Sequence, residues 1–137
     1  MKEMFRDYRL HHVGVIAPDM ESADAFMALM GLEEDYRGYV DPWSCWCVFT
    51  KARDGATIEL VVADSGPLTR FNKGVGGVHH FAFEVESLTA TMEWCAEKGM
   101  KCVSPEPVKG AGNFWCNFLN PVYTRGVQIE FVEPFQP

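Results

Sequence analysis

Cations are scarce in this chain: 12 Lys and Arg stand against 19 Asp and Glu, for a net charge of −7. They form no cluster or stripe. A phosphate-backbone binder needs such a cluster, so nucleic acid is excluded as a partner. Long apolar runs are missing as well. No stretch approaches the ~20 apolar residues of a membrane span, and the opening "MKEMFRDYRL" lacks the apolar core of a secretory signal. The five cysteines (Cys45, Cys47, Cys95, Cys102 and Cys116) are odd in number and lack the spacing of a disulfide framework. Reduced thiols in a cytoplasmic protein are the expectation. Cys45 and Cys47 alternate onto one face of a strand-like run, either as a thiolate metal site or as small buried hydrophobes. Gly74, Gly76 and Gly77 precede a strand-like run and not a helix, which argues against a phosphate cradle.

What is present is a balance of 47% apolar and 23% charged residues over 137 positions. That suits one soluble globular domain burying roughly two-thirds of its extended surface. It also says nearly the same thing twice. "LHHVGVIAPDMESADAFMALMGL" begins at Leu10 and "VHHFAFEVESLTATMEWCAEKGM" at Val78, so that His12 matches His80 and Gly31 matches Gly99 at an offset of 68 residues. Further on, "TIELVV" answers "VQIEFV" and sets Glu59 against Glu130. Self-similarity at a steady offset marks a duplicated supersecondary unit.

Each copy opens on an alternating run, Leu10 to Ala17 and Val78 to Val85, which predicts a strand. A helix follows, capped by Asp19 in the first copy and Ser87 in the second. Its apolar stripe is Met20, Ala23, Phe26, Met27 and Met30, then Leu88, Thr91, Trp94, Cys95 and the stem of Lys98. Gly31 and Gly99 stand where a left-handed residue ends a helix. Three shorter strands close each unit, at 36–40, 44–50 and 56–62, then at 101–103, 113–119 and 126–132. The plan is α+β: two tandem β-α-β-β-β modules, about 8–63 and 78–133, joined by a linker of about 64–77. The sheet is mixed and curled, and the linker carries a helical turn near 68–71.

Strand periodicity then places the polar residues. His12 shares a face with Gly14 and Ile16; His80 shares one with Ala82. Phe81, Phe83 and Val85 form the greasier face, which belongs against a helix, so the two histidines look into the concave side. Glu59 and Glu130 are each flanked by aliphatics that point the other way. A carboxylate in such a place is costly unless something compensates it. A hydrogen-bonded core histidine or a paired glutamate explains any one of these residues. The recurrence of both types in both copies favours one divalent metal (Zn, Ni, Co, Mn or Fe) held by all four. The absence of a thiolate from this set argues against a closed structural zinc site. His11 and His79 are expected as structural or supporting neighbours. Trp43, Trp46, Phe114 and Trp115 either line a substrate pocket or fill the core.

These residues resemble the vicinal oxygen chelate superfamily of glyoxalase I, extradiol dioxygenases, methylmalonyl-CoA epimerases and drug-binding proteins. The resemblance spans Leu10 to Glu133. It is nearest to the epimerases, through "LHHVGVIAPDMESADAF", "GGVHHFAFEVESLTATMEWCAEKGM", "EPVKGAG" and "FLNPVYTRGVQIEFVEP". It implies that His12, Glu59, His80 and Glu130 are metal ligands, with Glu130 or Glu59 as catalytic base. It implies proton transfer next to a carbonyl through a metal-stabilised enolate, on an acyl-CoA or 2-oxo compound, in a homodimer. Two departures stand out. The strand "WSCWCVFTK" carries no carboxylate where epimerases can have a second acid/base, and "NPV" (Asn120 to Val122) replaces their "HPK". The same resemblance leaves a glyoxalase I-like lyase, an Fe(II) ring-cleaving dioxygenase and a small-molecule binding protein as alternatives. Glu59 counts against the dioxygenase, because a fourth ligand takes a position that oxygen and substrate need.

Overall fold

The computed structural model describes residues 9–136; the opening residues and the first boundary position of module one lie outside that range. Its elements are β1 (Arg9–Ile16), α1 (Met20–Met30), β2 (Glu34–Val40), β3 (Cys45–Thr50) and β4 (Thr57–Ala63). Then come β5 (Gly77–Glu84), α2 (Leu88–Glu97), β6 (Val108–Lys109), β7 (Phe114–Leu119) and β8 (Gln128–Pro134). Three 3₁₀ turns lie at Asp41–Trp43, Pro67–Gly74 and Pro121–Thr124. No helix among the described residues is long and apolar enough to cross a membrane.

All eight strands join one mixed sheet in the order β2-β3-β4-β1-β5-β8-β7-β6. The order is the duplication made visible. Each module contributes four neighbouring strands, and the modules meet where β1 and β5 pair antiparallel. In that seam Gly14 lies opposite His80 and His12 opposite Ala82, so one pseudo-twofold relates the two contacts. The sheet curls until its far ends approach each other. A side chain on Gly38 of β2 would collide with the Ala111 carbonyl in the β6–β7 loop, and one on Gly112 would collide with the Tyr36 ring.

Alternation sorts the apolar residues onto two sides. Ala23 and Met27 of α1 pack on Ile58, Leu60 and Val62 of β4. Leu88 and Cys95 of α2 pack on Phe83, Ile129 and Phe131 of β5 and β8. The other face of the sheet carries Ile16, Phe49, Val61, Ala82, Phe114 and Val132 on the concave side. Each fully buried large side chain stabilises by roughly 1.5–3 kcal/mol, so both faces hold the curl. The Asp19 carboxylate accepts the Ser22 N–H at the start of α1, and Ser87 Oγ accepts the Ala90 N–H at the start of α2. Gly31 and Gly99 have φ of 68° and 76°, the left-handed values expected after each helix. Met30 departs from the expected stripe: it is largely exposed in the last turn, and burial of α1 stops at Met27.

The second module departs from the sequence reading at 101–103. That stretch makes one isolated bridge, Cys102 to Leu119, and no strand. The edge strand is instead the two-residue β6, paired with Cys116 and Trp115, in a segment that reads as turns. Asn117 explains the substitution. Its buried side-chain amide accepts the Ser104 N–H and donates to the Ser104 carbonyl, standing in for a backbone ladder.

Candidate metal centre

His12, Glu59, His80 and Glu130 stand on the four central strands β1, β4, β5 and β8, and each is 5% exposed or less. Their side chains converge. His12 Nε2 lies 3.1 Å from His80 Nε2, 2.9 Å from Glu130 Oε1 and 3.4 Å from Glu59 Oε1. His80 Nε2 lies 3.1 Å and 3.2 Å from the same two oxygens. Both Oε1 atoms are nonetheless buried without a hydrogen-bond partner. Buried carboxylate oxygens left so are costly. Donors about 2.1 Å from a shared cation sit about 3.0–3.4 Å apart at neighbouring vertices, which is the spacing seen. Two imidazoles and two carboxylates also make a neutral site with a divalent ion. The residues present therefore fit a metal: the His12, His80 and Glu130 donors all lie within 4.8 Å of one another, and Glu59 lies outside that mutually close trio but approaches both imidazoles.

The first histidine of each pair now has a place. His11 Nδ1 lies 2.7 Å from His12 Nδ1, and His79 Nδ1 lies 2.8 Å from His80 Nδ1. Burial and the neighbouring His12 lower the pKa of His11; burial and His80 lower that of His79 to about 4. Both are neutral at pH 7, and the tautomer that carries its proton on Nε2 offers an Nδ1 that accepts. A ligating imidazole that offers Nε2 carries its proton on Nδ1 and needs such an acceptor to fix the ring. Phe49 and Phe118 meet the His12 and His80 rings edge-on, each at 5.1 Å between centroids.

Electrostatics inside the cluster run against burial and win. Burial disfavours the charged imidazoles, yet the Glu59 and Glu130 carboxylates raise His12 to about 10 and His80 to about 9. Burial likewise pushes both glutamates up, and the two histidines overcome it, holding Glu130 at about 2 and Glu59 lower still. Without a metal, charge attraction to the two imidazoles is what offsets the burial of the carboxylates, whose Oε1 atoms still lack a hydrogen-bond partner.

A cavity of about 390 Å³ opens beside the cluster, with Glu59, His80 and Glu130 in its wall. Trp43 lines it, edge-on to Phe118 at 5.1 Å. The other three expected pocket aromatics do not. Trp46 and Trp115 sit at outward positions of β3 and β7, about two-fifths exposed, against Tyr39 and Phe135. Phe114 is buried behind His11 at 5.5 Å and belongs to the core. Strand alternation carries this information: Trp46 and Trp115 are out of phase with the inward residues Cys47 and Cys116. Cys45 and Cys47 do share a face, 3.8 Å apart in the cavity wall. All five cysteines are free thiols. Leu68, Val103, Phe118 and Pro121, which carry no polar signal, complete the wall.

Residues 11–118 match the family described as the Glyoxalase/Bleomycin resistance protein/Dioxygenase superfamily, and the chain belongs to that family. It is similar to the ethylmalonyl-CoA/methylmalonyl-CoA epimerase of Cereibacter sphaeroides, 30% identical over 132 residues, with 89% of this chain and 95% of the relative covered. The mitochondrial methylmalonyl-CoA epimerase of Bos taurus is 30% identical over 127 residues, 89% of this chain and 72% of that protein. Among solved structures, methylmalonyl-CoA epimerase from Mycobacterium tuberculosis superposes with a TM-score of 0.84 at 25% identity, covering 93% of this chain and 89% of that one.

Proposed function

We propose that the chain is a divalent-metal-dependent epimerase that moves a proton at the carbon next to the carbonyl of an acyl thioester. The observation that carries this reading is the convergence of two histidines and two glutamates, with two orphaned carboxylate oxygens, in the wall of a ligand-sized cavity. The relatives named epimerases support the reaction class.

His12, Glu59, His80 and Glu130 would hold the ion. When bound, it supplies the Lewis acidity that brings a thioester α-proton within reach of a carboxylate, worth several kcal/mol. The chain supplies the rest. His11 and His79 fix the two imidazoles through Nδ1. Glu130 and Glu59 both border the cavity and are ionised at neutral pH, so each can accept a proton. β3 presents Cys45 and Cys47 to the cavity and no carboxylate. Both acid/base roles therefore fall within the cluster: Glu130 takes the α-proton, and it or Glu59 returns one. The Trp43–Phe118 contact would shield one side of the cavity from bulk water.

Replacing Glu130 by Gln is expected to leave metal stoichiometry near that of the parent while deuterium wash-in from heavy water into methylmalonyl-CoA falls by about 10²-fold or more. Full exchange in that variant would end the assignment.

A further inference from the structure

The cavity has two unlike ends. Its floor is the charged cluster. The wall beyond is hydrocarbon: Trp43, Leu68, Val103 and Phe118, with Trp43 and Leu68 packed onto the concave core. Three further lining residues, Pro42, Pro67 and Pro121, have no backbone N–H to offer. No Lys or Arg lines it among the described residues. Away from the histidines and glutamates, its polar side chains among the described residues are Ser44, Gln128 and the Cys45 and Cys47 thiols, with Gln128 in register beside His80.

These features select what can fill the space. At about 390 Å³ the cavity falls in the ~300–1,000 Å³ range of clefts that enclose drug-sized ligands. A methyl-bearing acyl head at the cluster would leave much of it empty. The amides of a pantetheine arm would meet prolines and aromatic rings, and each unpaired polar group there is penalised. A second anionic group would find no Lys or Arg among the described lining residues. A hydrocarbon substituent meets none of these costs.

We infer that the acyl group processed at this site carries a large apolar substituent, aryl or long alkyl, on its α-carbon, seated between Trp43, Leu68, Val103 and Phe118. The inference rests on the thioester reading above.

The test uses the full metal-loaded chain with 2-methyl-, 2-hexyl- and 2-benzylmalonyl-CoA, reading equilibrium binding by calorimetry and α-proton exchange in heavy water. The 2-hexyl and 2-benzyl compounds are expected to bind at least about tenfold more tightly than 2-methyl, since even one methylene in an apolar pocket is worth about tenfold or more. Val103→Phe, at a half-exposed position that tolerates bulk, should narrow the pocket and shift that ratio back toward 2-methyl. Exchange with 2-methyl bound as tightly as the bulky compounds overturns the substituent and leaves the epimerase standing. Tight binding of the bulky compounds with no exchange keeps the substituent pocket and removes the epimerase. No binding of any thioester overturns both.

Discussion

At the scale of single residues, the site depends on small neighbours as much as on its ligands. Gly14 faces His80 across the seam, and a Cβ there would overlap the imidazole. Ala82, its counterpart opposite His12, already carries a Cβ, so the two halves are not interchangeable. Gly14→Ala is expected to cost about 1–3 kcal/mol by overpacking and to weaken metal binding, read by urea denaturation and by titration with Co²⁺. Unchanged affinity would show that His80 has room to move. The cluster also sets a pH dependence for chelator-treated protein. His12 and His80 have folded pKa values of about 10 and 9 against an ordinary 6.5. Their contribution to stability is complete below about pH 6.5 and is lost as pH rises through 9 to 10. Glu130 is depressed to about 2 and Glu59 also lies below its ordinary 4.5, so their contribution is complete above about pH 4.5 and is lost as pH falls toward 2. The urea midpoint of the metal-free protein should therefore fall between pH 6.5 and 9.5; a rise over that interval would contradict the ion-pair description.

At the scale of elements, the strands bearing the ligands were the most legible part of the sequence. Alternation fixes the direction of Glu59 and Glu130, each between apolar residues packed toward a helix, and puts His12 and His80 in phase with the small inward residues Gly14 and Ala82. Repetition then removes the ambiguity that a lone histidine leaves. The edge of module two was illegible for the opposite reason. β6 has two residues, and the segment it replaces is held by the Asn117 side chain, a contact with no periodic trace. Of the candidate pocket aromatics Trp43 lines this cavity while Trp46 and Trp115 do not, because aromatic content says nothing about facing, whereas parity along the strands does. Apolar wall residues such as Leu68 look in sequence like any other core. Helix caps were legible, and they differ in one testable way. Asp19 acts alone at α1, while at α2 Ser87 is assisted by Glu133, whose carboxylate accepts the Leu88 N–H from β8. Asp19→Ala should lower the urea midpoint more than Ser87→Ala. The reverse order would mean that Glu133 carries none of the capping.

At the scale of the whole molecule, the duplication would make a bound metal a clasp between halves. Module one offers His12 and Glu59, module two offers His80 and Glu130, and the modules otherwise meet along the β1–β5 ladder, across the concave core and where β2 approaches the β6–β7 loop. An ion that needs both pairs binds only when that ladder is formed, so its binding energy adds to folding stability. At a free metal concentration 100 times the dissociation constant the gain is ~2.7 kcal/mol, about 5–10 °C in Tm for a domain of this size. Binding must also expel protons. Both imidazoles are charged at pH 7 in the metal-free cluster, with pKa values of about 10 and 9, and both must be neutral to ligate. Calorimetry with Zn²⁺ or Co²⁺ in buffers of different ionisation enthalpy should therefore report close to two protons released per ion. His12→Ala and His80→Ala, one in each half, should abolish the Tm rise to the same extent. If one variant keeps the rise, or if no proton is released, the ion is not gripped by both modules and the two halves are held together by hydrocarbon and backbone alone.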